Sequence, residues 1–588
     1  MNPLLLTDGY KCGHHQQYPK GTTKVYSNFT PRSNKYAPKG CDHIVSFGQQ
    51  MIMKQINDAF ENEFFSKPKD EVCGEMKREL SMYLNTDYDV SHFEALHDLG
   101  YLPIQVKAIQ EGTLVPIKVP VLTIVNTHPD FYWVTNYLET IISNLLWKPM
   151  TSATIAHQYR KVLTGWQEKT AAEQAWFIDW QGHDFSMRGM DSVDAVISSG
   201  LGHLTSFSGT DSLPTIYGAR KYYGETGFVG GSVNATEHSV ACSHMEKSEE
   251  IEEYEVESES GTGKVIEKRT RKKIVINEDR YIRHLLETYP TGILSMVSDT
   301  FNLWDICTKY LPKYKEEILA RDGKVVIRPD SGDPVDIICG TPIMDSGYTG
   351  DDLDTWKEYV AETLDDQFRS NLDAEDPHSE ETELFTFQGK RYKVTYRPDL
   401  NRHDKTYYYV DNYGETVSKC KFVELETEPY HKGVIELLWD IFGGIVNEQG
   451  YKVLDSHIGA IYGDSITIER ANEICKRLEA KGFASTNIVL GVGSFTYQFN
   501  TRDTFGFAMK ATYVEVNGEG REIFKDPITD DGTKKSATGL LKVTKEDGTL
   551  VLHDKQISDE GGELETIYKD GKFYNETTLT EIRDRLKK

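Results

Sequence analysis

HDFSMRG (183–189), HLTSFSGTDS (203–212) and GFVGGSVNATEHS (227–239) each set a short polar cluster within or just after an apolar run. The clusters are His183-Asp184-Phe185 with Arg188, Gly209-Thr210-Asp211-Ser212, and Ser232 with Glu237-His238-Ser239. Alone, each reads most simply as a turn and a helix cap, because Gly, Asp and Ser serve both purposes. Together they supply an aromatic face, a guanidinium, a carboxylate and a histidine beside a glutamate. That inventory suits a planar ring and a phosphate.

The same device recurs down the chain, and the recurrence decides the fold. His203–Phe207 reads as a short strand before the Gly209–Ser212 loop, and Leu213–Tyr223 as a helix stopped by Gly224. Ile293–Val297 ends in Ser298-Asp299, and Lys324–Ile327 in Arg328-Pro329-Asp330-Ser331-Gly332. Ile458–Tyr462 ends in Gly463-Asp464, and Asn487–Leu490 in Gly491-Val492-Gly493-Ser494. Polar residues at the C-terminal ends of successive strands are the mark of a parallel α/β barrel, whose loops converge on one mouth. The expected class is α/β: an irregular (β/α) barrel over 151–499 plus an α+β sheet domain built from 1–150 and 500–588. In the latter, 23–29 alternates as a half-buried strand, 47–65 and 76–84 read as helices, and Glu139–Leu146 has helical spacing. Strands at 512–516, 540–543 and 572–574 are expected to complete its sheet.

Two stretches interrupt the barrel rhythm. Residues 246–279 run acidic, turn at Gly261-Thr262-Gly263 and become basic, as in a hairpin with opposite charges facing across it. Its GTGK lacks the leading glycine and following hydroxyl of a phosphate loop. Residues 346–429 are acidic and tyrosine-rich, an insertion of mixed structure.

At 588 residues, with 38% hydrophobic and 11% aromatic content, the chain can build packed cores and is too long for one. A formal net charge of −26 argues against nucleic acid and anionic membranes, which require a basic footprint. An anionic ligand then needs a local group of Arg and Lys. Eight cysteines without a C-x-x-C pair are the usage of a reduced chain with no zinc site or disulfide framework. MNPLLLTDGYK has too short an apolar run for a signal peptide, and no stretch approaches a membrane span. A cytoplasmic location is expected.

The strand-end residues have definable chemistry. Arg188, Arg328, Arg502, Lys510, Lys534 and Arg32 supply positive charge for phosphate oxygens; the plain alternative for Arg502-Asp503 is a local ion pair. Asp330 and Asp464 can accept from sugar hydroxyls or hold Mg²⁺, or else cap helices. Gly491 and Gly493 would let backbone approach a phosphate. Glu237-His238 offers an imidazole for acid/base work or for attack on phosphorus.

TDGYK (7–11), QYPKGTTKVYSNF (17–29), HDFSMRG (183–189), GTDS (209–212), SVNATEHS (232–239), SMVSDT (295–300), IRPDSGDP (327–334), YGDSI (462–466), TRD (501–503) and FKDP (524–527) together resemble the nicotinamide phosphoribosyltransferase family, of type II phosphoribosyltransferases. The resemblance covers the chain outside the two interruptions. It implies transfer of phosphoribosyl from phosphoribosyl pyrophosphate to nicotinamide, with Mg²⁺, ATP as co-substrate, and a homodimer with shared sites. It implies that Phe185 and Tyr10, the latter from a second subunit, sandwich the ring. Asp211 would accept from the carboxamide, with Arg188, Ser232 and Ser295 lining the pocket. Asp330 and Gly463-Asp464 would hold ribose, with Gly493-Ser494 in the phosphate-cradle position. Arg328, Arg502, Lys510, Arg32 and Lys534 would neutralise phosphate. His238 would carry a phosphoryl group, supported by Asp299 and Glu237. The chain departs from the family in having Val492 within a run of glycines and Ala508 in place of a serine. Nicotinate phosphoribosyltransferase and a non-catalytic pyridine-nucleotide binder are the rival readings.

Overall fold

The computed structural model describes residues 1–588 apart from 261–262, 342, 345, 371–380, 389, 397–408, 411–415, 419, 464, 528, 530–534 and 588. Asp464, Lys534 and the Gly261-Thr262 part of the hairpin turn lie outside the described residues. The chain divides into two compact units. One comprises Met1–Val233, Gly463–Asn472 and Val489–Lys588; the other comprises Asn234–Tyr462 and Glu473–Ile488.

The first unit holds a seven-stranded antiparallel sheet in the order Glu519–Glu522, Ala508–Val516, Thr22–Thr30, Leu122–Asn126, Ile104–Ile109, Leu564–Lys569, Lys572–Phe573. Both chain ends contribute, as expected. Thr22–Thr30 is buried over Val25–Phe29 rather than on alternate residues. Its central place explains this: Phe29 packs into the main core, and Val25 meets Val514 and Val516 on the other face. Leu540–Glu546 departs from expectation by pairing with Thr549–Gln556 as a separate hairpin.

Three parallel strands of this unit carry candidate residues: Gly209–Thr210 beside Gly182–Asp184, itself beside Ile488–Val492. The strand expected at His203–Phe207 is instead the end of a helix, Val193–Leu204, capped by the Ser192 hydroxyl on Ala195 N–H. Small residues select that helix because they permit close packing. A Cβ on Gly200 would meet Thr215 Oγ1 at 2.0 Å, and one on Gly202 would meet Ala153 N at 2.7 Å. Leu213–Tyr223 is a helix ending at Gly224 in the left-handed region (φ 63°).

In the second unit, Asn234–Ala235, Thr291–Val297, Asp322–Arg328 and Ile458–Tyr462 lie side by side in parallel. Between the first two, Glu246–Ser260 and Gly263–Asn277 form the expected hairpin, with Arg271 opposite Glu252 in register and 2.7 Å from it. Lys272–Glu249 and Lys273–Glu252 contacts add to the ladder. The other insertion has a small core of its own. Trp356, Val360 and Leu364 of the helix Leu353–Ser370 pack on Phe385, Tyr392 and Val394 of a three-stranded antiparallel sheet. Among the described residues no helix is long and apolar enough to cross a membrane.

Candidate functional site

In the second unit the parallel strands deliver their polar ends to one cluster. His238 begins a short helix, His238–His244, just after the strand Asn234–Ala235. Its Nδ1 lies 2.9 Å from Thr300 Oγ1, and its Nε2 lies 3.1 Å from Asp330 Oδ1. Asp299 Oδ2 accepts from the Asp330 backbone N–H (2.9 Å) and from the Ser331 hydroxyl. His238, Asp299 and Asp330 bring ligand atoms within 4.8 Å of one another. Arg328 donates through Nη2 to the Thr236 carbonyl, and Thr236 Oγ1 accepts from Val297 N–H at 3.0 Å. Glu237 accepts from the Ser239 hydroxyl rather than touching the imidazole, so it does not orient His238 directly.

Among the described residues, Asp299 Oδ1, Arg328 Nε and Ser295 Oγ are buried with no hydrogen-bond partner. An unmatched buried acceptor or donor costs about 1–3 kcal/mol, more when charged, so this cluster is built to receive polar ligand atoms. The donor set can hold a cation. Asp299 and Asp330 give hard oxygens of the kind Mg²⁺ takes, while the imidazole suits a softer metal.

In the first unit, His183 Nε2 is 2.9 Å from Asp211 Oδ1, and the His183 ring lies 4.6 Å from the Phe185 ring. The buried Asp184 holds this corner together. It accepts from Ser186 N–H at 3.0 Å and from the Thr210 hydroxyl at 3.2 Å, and its carbonyl accepts from Asp211 N–H. The helix after the loop has Ser212 as its N-cap residue. Arg188 sits in the turn Met187–Gly189, and Gly189 lies so close to Ser494 that a Cβ would meet its Oγ at 2.1 Å. Gly493 precedes the short helix Ser494–Gln498, and Ser232 is exposed.

A second group in this unit is cationic. Burial lowers the Lys510 pKa, Glu139 opposes that shift, and the nearby charges of Arg32, Lys525 and Arg502 lower it further. Arg32 Nε donates to the Gly506 carbonyl at 2.9 Å. Arg502 Nη2 is 3.8 Å from Asp503, the local pair anticipated for it. Tyr10 is 66% exposed. Thr300, Asp184 and the His183 contact to Asp211 carry no assigned role in the sequence reading. A threonine has no chemical signal of its own, and the motifs HDF and SMVSDT point to the segments without separating their members.

A model of the nicotinate phosphoribosyltransferase (NAPRTase) family matches residues 180–378 and 414–571. The model of the nicotinamide phosphoribosyltransferase N-terminal domain matches residues 2–96. The chain is 41% identical over 599 residues to a protein of Acinetobacter baylyi named nicotinamide phosphoribosyltransferase, covering 100% of this chain and 97% of that one. It is 29% identical over 550 residues to a protein of the same name from Mycoplasma pneumoniae, covering 91% and 94%. A crystal structure of human nicotinic acid phosphoribosyltransferase aligns with a TM-score of 0.46 at 13% identity, over 99% of this chain and 93% of that one.

Proposed function

The chain belongs to the nicotinate phosphoribosyltransferase family, and on that premise we propose that it transfers the phosphoribosyl group of phosphoribosyl pyrophosphate to nicotinamide, forming nicotinamide mononucleotide and pyrophosphate in NAD salvage. The observation that carries this choice of base is Asp211. Its carboxylate can accept from a carboxamide NH₂, whereas it would face the anionic carboxylate of nicotinate. Phe185 stacks on the ring, with Tyr10 of a second subunit on the other side, and Arg188, Ser232 and Ser295 contribute to the pocket. The relatives named nicotinamide phosphoribosyltransferase support the same base.

The pyridine nitrogen is already a nucleophile, so no general base is required. Catalysis consists of aligning the reactants and stabilising charge on departing pyrophosphate. Arg32, Arg328, Arg502, Lys510 and Lys534 neutralise the phosphates, and Gly493 and Ser494 serve in the phosphate-cradle role. Asp330, Gly463 and Asp464 take the ribose hydroxyls. Asp299 and Asp330 would hold the Mg²⁺ that accompanies phosphoribosyl pyrophosphate, which would offset phosphate charge. ATP is a co-substrate that phosphorylates His238, with Asp299, which holds the Asp330 backbone, supporting the step. The protein works as a cytoplasmic homodimer. Incubation with phosphoribosyl pyrophosphate, Mg²⁺ and each base in turn, with the mononucleotide separated and quantified, tests the proposal. Product from nicotinamide is expected. Product from nicotinate alone overturns the base assignment, and product from neither overturns the activity.

A further inference from the structure

His203 ends the helix Val193–Leu204 and is wholly buried in the first unit. Its Nε2 lies 3.0 Å from the Gly209 carbonyl oxygen, and its Nδ1 lies 2.7 Å from the Tyr497 hydroxyl. A carbonyl only accepts, so Nε2 carries a proton. Burial lowers the His203 pKa to about 4 against the pull of the Asp184 charge, which keeps the ring neutral. Nδ1 then offers a lone pair, and the buried Tyr497 donates its hydroxyl proton to it. The relay has one direction: Tyr497 O–H to His203, and His203 N–H to Gly209.

Both ends of this relay meet residues with a part in the site. Gly209 stands in register with His183 in the parallel pairing of Gly209–Thr210 with Gly182–Asp184. It is so close that a Cβ on it would meet His183 Nδ1 at 2.6 Å. Two residues on, Asp211 Oδ1 lies 2.9 Å from Nε2 of that same ring. A shift of Gly209 therefore shifts the His183–Asp211 pair. Tyr497 belongs to the helix Ser494–Gln498, which follows Gly493. Gln498 accepts from Lys148 Nζ at 3.0 Å, which fastens that helix to the long helix Glu139–Thr170. The donor end of the relay is thus held in place.

We infer that His203 is a positioning residue: through its two ring nitrogens it ties the Gly209–Ser212 loop that receives the base to the Gly493–Gln498 segment that receives phosphate. The inference deepens the reading given under Proposed function and rests on it for the roles of the two segments. The plainer role is packing, since the His203 ring also stacks on Phe207 with centroids 5.0 Å apart. Packing needs volume alone. The tie needs a donor and an acceptor on one rigid group, so a change at the Tyr497 hydroxyl is felt at the base.

The test uses three variants. Tyr497→Phe removes one hydroxyl and keeps the ring; His203→Gln offers an amide N–H and an oxygen in place of the two nitrogens; His203→Met fills the space with neither. The amides of Thr210, Asp211 and Ser212 donate to Gly231, Asp184 and Thr210, so their hydrogen exchange reports the loop without reference to activity. Their protection should fall about fivefold in Tyr497→Phe and about tenfold in His203→Met, and stay within about twofold of wild type in His203→Gln. In mononucleotide synthesis, KM for nicotinamide should rise about fivefold in Tyr497→Phe with kcat within about twofold, and His203→Gln should keep both within about twofold. Unchanged protection in Tyr497→Phe overturns the tie, as does equal loss in His203→Gln and His203→Met. Lost protection with an unmoved KM overturns its bearing on the base. Should wild type form no mononucleotide, the proposed activity falls while the exchange arm still decides the tie. If His203→Met does not fold, Tyr497→Phe and His203→Gln decide it through the same three amides.

Discussion

Thr300 Oγ1 stands 2.9 Å from His238 Nδ1, while Nε2 of the same ring stands 3.1 Å from Asp330 Oδ1. Both ring nitrogens are thus engaged before any substrate arrives, and the imidazole is held in one orientation. The Asp330 carboxylate beside Nε2 favours the tautomer with its proton there and raises the nucleophilicity of the other nitrogen toward phosphorus, while the Thr300 hydroxyl fixes the orientation of the ring. We predict that ATP labelled in the γ-phosphate leaves acid-labile label on wild type and none on His238→Ala. Thr300→Val should slow labelling about tenfold, the worth of one hydrogen bond at about 1–1.5 kcal/mol. Wild-type labelling in His238→Ala would sink the phosphohistidine.

Glu111 yields a prediction about stability rather than catalysis. It is 5% exposed and accepts from Gln50 N–H at 2.8 Å. Burial raises its carboxyl from the ordinary 4.5 to about 7. The folded chain therefore keeps a proton that the unfolded chain has released, so this group's contribution is full below about pH 4.5 and declines as pH rises to about 7. Glu111→Gln, neutral throughout, should gain stability relative to wild type between pH 5 and 8 by up to about 3 kcal/mol. Denaturant midpoints at the two pH values measure this, and a difference that does not grow with pH refutes it.

Strand ends are where the sequence speaks most clearly. Asp299, Arg328 and Asp330 each follow a short β-branched or apolar run that reads as a parallel strand, and the structure puts them at the ends of such strands. The helix Leu213–Tyr223 is equally legible, because Gly224 can take the left-handed conformation that stops it. His203–Phe207 misleads, since its apolar residues fit either period over so short a run, and only the packing of Gly200 and Gly202 against neighbouring helices decides. Thr300 is invisible at that level. Its importance lies in a contact across 62 residues, which leaves no pattern along the chain.

Tyr10 tests the proposed dimer. Its ring is 66% exposed, and Leu213, Tyr217 and Phe228 of the same unit are exposed as well at 79%, 60% and 65%. Large apolar side chains left in water on one unit favour a partner surface. If Tyr10 of one subunit covers the ring held by Phe185 of the other, Tyr10→Ala and Phe185→Ala chains are each inactive alone but restore activity when mixed. Hybrids would carry one intact site, so up to about half of wild-type activity per dimer is expected from the symmetry of a two-fold pair. Inactive hybrids, with their formation verified by mass, would show that each site is built from one chain.

The choice of base rests on Asp211, and the structure sharpens how to test it. Ser212 is the N-cap of the helix Leu213–Tyr223, and Asp211 Oδ1 lies 2.9 Å from His183 Nε2. The carboxylate is thus placed beside the imidazole and the Phe185 ring, where a carboxamide can donate to it. Nicotinate would bring a second negative charge. At about 4 Å, two unit charges repel by roughly 4 kcal/mol at an effective dielectric near 20, and the lost hydrogen bond to a charged acceptor adds roughly 1.5–3 kcal/mol. The Asp211 side chain is 38% exposed and shares His183, so solvent and the imidazole screen both effects. A preference for nicotinamide of at least about a hundredfold in kcat/KM survives that screening. Asp211→Ser removes the charge and leaves Ser212 at the helix start. This variant should lose nicotinamide efficiency and gain relative use of nicotinate, bringing the ratio of the two kcat/KM values at least tenfold closer to one. A ratio unchanged from wild type would assign Asp211 to holding His183 alone and would remove the carboxylate from base selection.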